Sequence, residues 1–575
     1  MKKLLIYLKK YRRESIIAPF FKLLEALMDL IVPLVVADII NSGISADSRQ
    51  IITRDFVILL VLAIAGMCFS FVAQYFAARA SVGFACDLRQ SLFDHIETFS
   101  YSQLDHMGTG TLITRMTSDI NQLQTGVNLA LRLLLRSPFI VFGAMIMAFT
   151  IDVPLALIFA LAIPILCLIV FAIMLKSIPL FAGAQVYLDE LLSSLRENLS
   201  GVRVIRAFRK EEDEIRNFDE KSDALTKMNL FVGRLSALMN PLTYVIVNIA
   251  TIVLIYKGGL RVDLGILRQG DIVALYNYMA QIIVELIKLA SLIITINRSL
   301  ACAERVADVL SIDEDMKYKD RLPEQDPDDT SVEFDSVCFA YDESSADALD
   351  DISFSVRKGE KVGIIGATGS GKSSIINLIP RFYDVKSGTV KVNGIDVKDY
   401  PRGSLGNLIG VVPQKVVLFE GTIRDNMKIG KENADDREIW KALEAAQAKE
   451  VVENKSGMLD SHVEQNGRNF SGGQRQRLTI ARALIKDPEI LILDDSASAL
   501  DFATDLKLRQ AIRKLKKDLT VFIVSQRTSS VKDCDLILVL DDGKLVGKGR
   551  HEELLKGCEV YREIYDSQFK KESAR

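Results

Sequence analysis

Between Asp55 and Arg79 the chain runs FVILLVLAIAGMCFSFVAQYFAA without a charge, and between Asp152 and Lys176 it runs VPLALIFALAIPILCLIVFAIML. A hydrocarbon core takes about 20 apolar residues per helix, so both stretches predict membrane spans. A third, LSALMNPLTYVIVNIATIVLIY, lies between Arg234 and Lys257. Three weaker stretches, Ile16 to Ile40, roughly Leu133 to Ile151 and Ile272 to Ile296, bring the predicted number to about six.

The connections after the second and fourth spans, Arg79 to Arg136 and Lys176 to Arg234, are long. With a cytoplasmic N-terminus both lie inside, and the second carries Arg203, Arg206, Arg209 and Lys210, as expected for the cytoplasmic side. The outer connection with Lys257, Arg261 and Arg268 points mildly the other way. Leu112, Met116, Ile120, Leu123 and Val127 recur at three and four residues, which predicts a helix with one apolar face inside the first long connection. Within the weak spans, Lys22 and Glu25, and Glu285 and Lys288, are spaced to pair along a helix, with Asp29 one turn past Glu25. For Lys288 a neutralised or snorkelling pair is expected. For Glu25 and Asp29 two readings stand: such a pair, or carboxylates facing a water-filled cavity that attracts cationic substrates.

Past Arg298 the long apolar runs stop, and DEDMKYKDRLPEQDPDDT reads as a charged linker into a soluble part. Composition fits a membrane half followed by a soluble half: 575 residues exceed one core, and 49% hydrophobic with 25% charged residues averages two unlike regions. A net charge of −3 and no basic stripe argue against nucleic acid. The 7 cysteines are scattered, without metal or disulfide spacing, and read as packing residues in a reducing compartment. The basic start MKKLLIYLKKYRR lacks a cleavage site and suits a cytoplasmic membrane face.

In the soluble half KVGIIGATGSGKSS presents a strand, a glycine-rich loop and a helix start. Gly366, Gly369 and Gly371 allow backbone N–H groups to close around phosphates, Lys372 offsets their charge, and Ser373 can ligate magnesium. The strand ILILDD ends in Asp494, placed to hold magnesium through water. NFSGGQRQR, Asn469 to Arg477, offers a second set of N–H groups at a helix start, although the first loop is already complete. That surplus suggests the nucleotide of a second chain.

With these motifs in this order the chain resembles, over residues 1–575, a half-transporter of the ATP-binding cassette (ABC) exporter family. The resemblance implies a six-helix membrane domain with an N-terminal elbow helix (1–310), a linker (311–330) and an α/β nucleotide-binding domain with a RecA-like core and helical subdomain (331–572). It implies that Tyr341 stacks on adenine, that Gly366, Ala367, Thr368, Gly369, Ser370, Gly371, Lys372, Ser373 and Ser374 form the Walker A loop, and that Gln414 is the Q-loop glutamine. It makes Ser471, Gly472, Gly473 and Gln474 the signature, Ile490 to Asp494 Walker B, and Ser498 to Asp501 the D-loop. ATP and Mg2+ are the implied cofactors, with Ser373, Gln414 and Asp494 around the metal. FSYSQLDHMGTGTLITRMTSDI and LRENLSGVRVIRAFRKEE resemble the two cytoplasmic loops that carry coupling helices, and Glu464 the segment that meets them.

Beyond Phe470, which replaces the usual leucine at the signature by another apolar residue, two positions depart from the family pattern. Efficient members carry glutamate after the Walker B aspartate and histidine in the switch loop, where this chain has Asp495 and Gln526. Asp495 withdraws the carboxylate by one methylene, and Gln526 cannot carry a positive charge. The expectation is a chain whose own site retains MgATP and whose intact signature serves a homologous partner that has both residues. A heterodimeric bacterial exporter of amphiphilic substrates, drugs by family default, in the inner membrane follows; a slow homodimeric lipid or drug exporter and a nucleotide-gated channel or regulatory subunit are the alternatives. An importer subunit is disfavoured by the fused order of the two parts, and a leader-peptide-processing exporter is not expected.

Overall fold

The computed structural model describes residues 4–323, 329–342, 346–496 and 500–569. Two compact units emerge, Met1–Glu97 with Thr109–Ile312, and Thr98–Gly108 with Asp313–Arg575.

The first unit is helical. Its helices are α1 (Arg12–Asp38) and α2 (Arg49–Ile96), then, beyond the short α3 (Tyr101–Met107) of the other unit, α4 (Ile120–Leu133), α5 (Arg136–Ile151), α6 (Val153–Ala207), α7 (Glu211–Ala237), α8 (Met239–Asp263) and α9 (Gln269–Leu310). At about 1.5 Å per residue the 48 residues of α2 extend roughly 70 Å, more than twice a hydrocarbon core. The long connections foreseen from the sequence are therefore mostly continuations of the spans. Five stretches among the described residues are long and apolar enough to cross a membrane: Arg49–Ile96, Thr109–Ile151, Val153–Ala207, Glu211–Asp263 and Gln269–Leu310. α1 has the length, 27 residues, but Lys22, Glu25 and Asp29 interrupt its apolar run.

Helix ends are fixed locally. The Asp152 carboxylate accepts from Leu155 N at 3.0 Å and caps α6. Its other oxygen holds Arg261 at 2.7 Å, so one cation of the awkward outer connection is neutralised. Ala26, Leu30, Ala144, Phe159, Leu275 and Tyr278 build the shared core, and Tyr278 Oη donates to the Leu30 carbonyl at 2.7 Å. Phe56, Leu60, Ile64 and Phe71 on α2 point outward and exposed, as a face that meets lipid must. In the apolar stripe Leu112, Ile120 and Leu123 are buried, while a π-turn at Arg115–Asp119 shifts the register by one residue and leaves Met116 half-buried.

The charges in the weak spans meet partners from distant helices. Lys22 Nζ lies 2.5 Å from Glu25, and Lys288 Nζ 2.9 Å from Glu285. Arg136, at the start of α5, reaches Glu285 at 2.6 Å and Asp29 at 2.9 Å, with Glu25 at 3.9 Å. Ser137 Oγ donates to the other Glu285 oxygen at 2.7 Å. Three cations thus face three carboxylates. The pairing reading of Glu25 and Asp29 thus gains Arg136, a partner more than 100 residues away that the sequence could not show, while 42% of the Asp29 side chain stays exposed.

The second unit is α/β. In chain order its strands and principal helices are β1 (Thr330–Phe339), β2 (Leu349–Arg357), β3 (Lys361–Gly366), α10 (Lys372–Leu378), β4 (Ser387–Val392), β5 (Ile395–Asp396), β6 (Ile409–Val412), β7 (Gly421–Thr422), α11 (Asp436–Ala445), β8 (His462–Val463), α12 (Gly472–Leu484), β9 (Ile490–Asp494), α13 (Phe502–Leu515), β10 (Thr520–Val524), α14 (Thr528–Val531), β11 (Leu536–Asp541), β12 (Lys544–Gly549) and α15 (Glu559–Phe569). A sheet ordered β12-β11-β3-β10-β9-β6 is parallel except at β12, and an antiparallel sheet ordered β2-β1-β4-β5 packs beside it. Parallel strands covered on both faces read as unbroken apolar runs, and ILILD of β9 is buried through its first four residues. Ile423, Met427, Ile439, Leu443, Val463, Phe470 and Leu478 form a core around α11 and α12 that continues onto β9 through Leu491 and Leu493. α3 sits in this unit although its sequence lies within 1–310. Ser100 and Gln103 cap it reciprocally, Tyr101 packs 4.5 Å from the Phe382 ring, and Tyr383 Oη donates to Asp105 at 2.7 Å.

Candidate nucleotide site

The carboxyl ends of β3, β9 and β10 open into a cleft lined by Tyr341, Thr368, Gly369, Gly371, Lys372, Ser373, Ser374, Gln414, Asp494, Asp495 and Gln526. Each residue arrives by a local necessity. β3 ends at Gly366, where a Cβ would collide with the Leu540 carbonyl, so the loop passes close against β11. Gly371 adopts φ 92°, a left-handed conformation that an L side chain rarely accepts, and starts α10 at Lys372.

Lys372 Nζ donates to the carbonyls of Gly366 at 3.0 Å and Ala367 at 2.5 Å and to Ser370 Oγ at 3.3 Å. Burial lowers its pKa, against the opposing pull of Asp494 and Asp495. Ser373 Oγ faces Asp494 Oδ2 at 3.5 Å. Burial, and then the neighbouring charge of Asp495, raise the pKa of Asp494 from its ordinary value. Tyr341 Oη and Ser374 Oγ share a hydrogen bond of 2.9 Å, and the Tyr341 ring, 45% exposed, leans on Phe339 and Tyr383. A partly bare ring at the cleft mouth can stack on a base.

Asp495 follows the last residue of β9 with φ 45°, and its N–H donates to the Val524 carbonyl at 3.0 Å. β9 and β10 run parallel with Asp494 opposite Val524, so Gln526, two residues past β10, comes to the same end of the sheet as Asp495.

The signature and D-loop residues lie elsewhere. Ser471 Oγ accepts from Gln474 N at 3.4 Å and Gln474 Oε1 from Ser471 N at 3.0 Å, a capping box that leaves Gly472 and Gly473 at the start of α12. None of these four lines the cleft. Asp501 caps α13 through Thr504 N at 2.9 Å and Thr504 Oγ1 at 2.7 Å, bonds that lower its pKa. Ser498 falls outside the described residues. Two neighbours escaped the sequence: Tyr383, which touches Tyr341, and Gln568, which binds the backbone at Gln526 and Thr528. Neither belongs to a local motif.

A family model for the ABC transporter transmembrane region matches residues 15–286, and one for the ABC transporter matches residues 349–498. ABC transporter ATP-binding protein MT1311 of Mycobacterium tuberculosis is 37% identical over 568 residues, covering 98% of this chain and 97% of its own. The chain belongs to the ABC exporters. The exporter is also 31% identical to the ATP-dependent lipid A-core flippase of Syntrophus aciditrophicus, over 90% of this chain and 85% of that one. A bacterial Atm1-family ABC exporter solved with ATP bound shares the fold with a TM-score of 0.81 and 24% identity, covering 97% of the exporter and 98% of that chain. The exporter is thus a multi-pass membrane protein whose ABC domain binds ATP and drives transport.

Proposed function

We propose that this exporter is the degenerate-site half of a heterodimer. The observation that carries the reading is the meeting of Asp495 and Gln526 with Lys372, Ser373 and Asp494 in one cleft. A positioned base contributes about 10²- to 10⁴-fold. A carboxylate shortened by one methylene beside a glutamine therefore favours retention of MgATP over turnover. Paired with itself, the chain would place both departures in both sites. A homologous partner with glutamate and histidine gives one competent site, completed here by Ser471, Gly472, Gly473 and Gln474.

Ser373 and Asp494 fit magnesium: a hydroxyl and a carboxylate are hard oxygen donors, and here they face each other at 3.5 Å at the end of the cleft. With Gln414 they would hold the ion, which supplies charge neutralisation for the phosphates. Tyr341 stacks on the base, the Walker A backbone and Lys372 grip phosphate, and Gln526 hydrogen-bonds the terminal phosphate. α1 serves as a sixth span, its charges compensated by Arg136. The N-terminus and nucleotide-binding domain face the cytoplasm of a bacterial inner membrane. The cargo is an amphiphile, a drug by family default. Lipid is the second reading, favoured by the 31% identity to a lipid A-core flippase.

The test is ATPase activity and uptake into inverted vesicles for the purified chain alone and for complexes with co-expressed half-transporters that carry the glutamate and histidine. Low activity alone and substantial activity in a mixed complex are expected. Brisk hydrolysis with uptake by the chain alone overturns the pairing, and nucleotide-dependent ion conductance without uptake overturns export.

A further inference from the structure

The helix α15 carries a glutamine whose position its packing does not require. Tyr561, fully buried, anchors α15 in a cluster with Ile365, Val531, Ile537, Val539 and Leu554, and its hydroxyl lies 2.7 Å from His551 Nδ1. Ile564 adds a partly buried contact one turn on. Residues seven apart lie two turns apart on one helical face, so the face that buries Tyr561 also presents Gln568.

Both ends of the Gln568 amide are engaged. Its Oε1 accepts from Thr528 N at 2.9 Å and from Thr528 Oγ1 at 2.8 Å, and its Nε2 donates to the Gln526 carbonyl at 2.8 Å. The first two bonds cap the start of α14. The third does something a cap does not: it fixes the peptide from which the Gln526 side chain enters the cleft. The rest of the segment is tied from other directions. Ser525 N donates to Ile364 O at 3.1 Å, Arg527 N to Ser525 Oγ at 3.0 Å, and Arg509 Nη1 to Ser529 O at 3.0 Å. Two side chains therefore hold the Gln526–Arg527 peptide, Ser525 Oγ at its N–H and Gln568 Nε2 at its carbonyl, and Gln568 is the one that comes from α15.

We infer that Gln568 is a positioning residue for Gln526, so that α15 is a working part of the nucleotide switch. This rests on the proposed role of Gln526 at the terminal phosphate. A carbonyl held 2.8 Å from a side chain seated on the sheet restrains the rotation of the Gln526–Arg527 peptide, and an error of about 1 Å at a phosphate contact costs up to about 10²-fold in rate. Displacement of α15 by whatever engages it would slow cleavage while leaving the phosphate loop untouched.

The test uses the full chain in lipid nanodiscs with three measurements: single-turnover cleavage of bound ATP, MgATP affinity, and thermal melting. Gln568→Ala is expected to slow cleavage about tenfold, with MgATP affinity within about twofold of wild type. Gln568→Glu keeps the acceptor for Thr528 and loses the donor to Gln526 O; it should melt like wild type and cleave as slowly as the alanine variant. The pair Gln526→Ala and Gln568→Ala should be no slower together than Gln526→Ala alone, because the second residue acts through the first. Full cleavage in Gln568→Glu, or losses that multiply in the double variant, overturns the inference and leaves Gln568 a helix cap. Unchanged cleavage in Gln526→Ala overturns the role of Gln526 instead, and the inference with it.

Discussion

If the exporter's own site is the degenerate one proposed, Asp495→Glu should turn it from retaining nucleotide to hydrolysing it. The backbone fixes what the substitution does: the Asp495 N–H is held by Val524 O at 3.0 Å and the preceding residue is in register with β10, so Cα stays and the carboxylate advances by one C–C bond, about 1.5 Å. If placement of the base is what limits the rate, recovering about 1 Å restores up to about 10²-fold. The left-handed φ of 45° at this position suits aspartate better than glutamate, a cost of about 1 kcal/mol that falls on the stability of the fold and not on the rate, because the fixed backbone carries it before and at the transition state. The expectation is an increase of up to about 10²-fold in steady-state phosphate release by the purified chain, with MgATP affinity little changed because Lys372, Ser373 and the loop are untouched. Adding Gln526→His should raise it further. Two results refute the reasoning: a wild-type chain that already turns over at the roughly 10 s⁻¹ of an ordinary enzyme, or an Asp495→Glu chain that binds MgATP normally and releases phosphate no faster.

Arg136→Ala leaves Glu285 and Asp29 without their shared cation and should destabilise the membrane unit by about 3–5 kcal/mol, whereas Lys288→Ala, whose side chain is 43% exposed, should cost less than about 1 kcal/mol; thermal unfolding in detergent separates them. Ser471→Ala removes a helix cap worth about 1 kcal/mol and should leave the chain's own MgATP affinity intact while lowering the ATPase of a mixed complex, measured side by side. The buried Cys534 thiol, its pKa pushed up to about 12 by burial, should resist alkylation at pH 8 until the protein is unfolded, because about one thiol in ten thousand is ionised there; mass spectrometry of labelled peptides reads this directly.

What the sequence showed and what it hid divide along a physical line. A phosphate loop must place its glycines, lysine and hydroxyl within a few consecutive residues, so Gly366 to Ser374 announced itself, and β9 did so because a strand buried on both faces leaves an apolar run ending in Asp494. Contacts between distant segments leave no such trace. Arg136 meets Glu285 across 149 residues, Asp119 meets Arg305 across 186, and Gln568 meets Thr528 across 40. Periodicity gave the helices that carry these residues, but the rotation of each helix and its neighbours decide which charges touch. The π-turn at Arg115–Asp119 is the sharpest case, since one extra residue turns Asp119 inward toward Arg305 at 2.5 Å.

Two of the charge clusters among the described residues answer opposite demands. Inside the membrane unit Lys22, Arg136 and Lys288 balance Glu25, Asp29 and Glu285, because a surplus charge among apolar helices costs at least about 2.5 kcal/mol. In the cleft Lys372 is turned onto the carbonyls of its own loop, while Asp494 and Asp495 stand side by side, the first with its pKa raised by burial and then by its neighbour. On the proposed reading magnesium offsets the charge of these acids, and the lysine exchanges its carbonyl partners for phosphate oxygens on binding. On that reading, shortening one acid by a methylene keeps its charge in the cleft while withdrawing the carboxylate from the attacking water, which is how such a chain would keep its grip on ATP while cleaving it slowly.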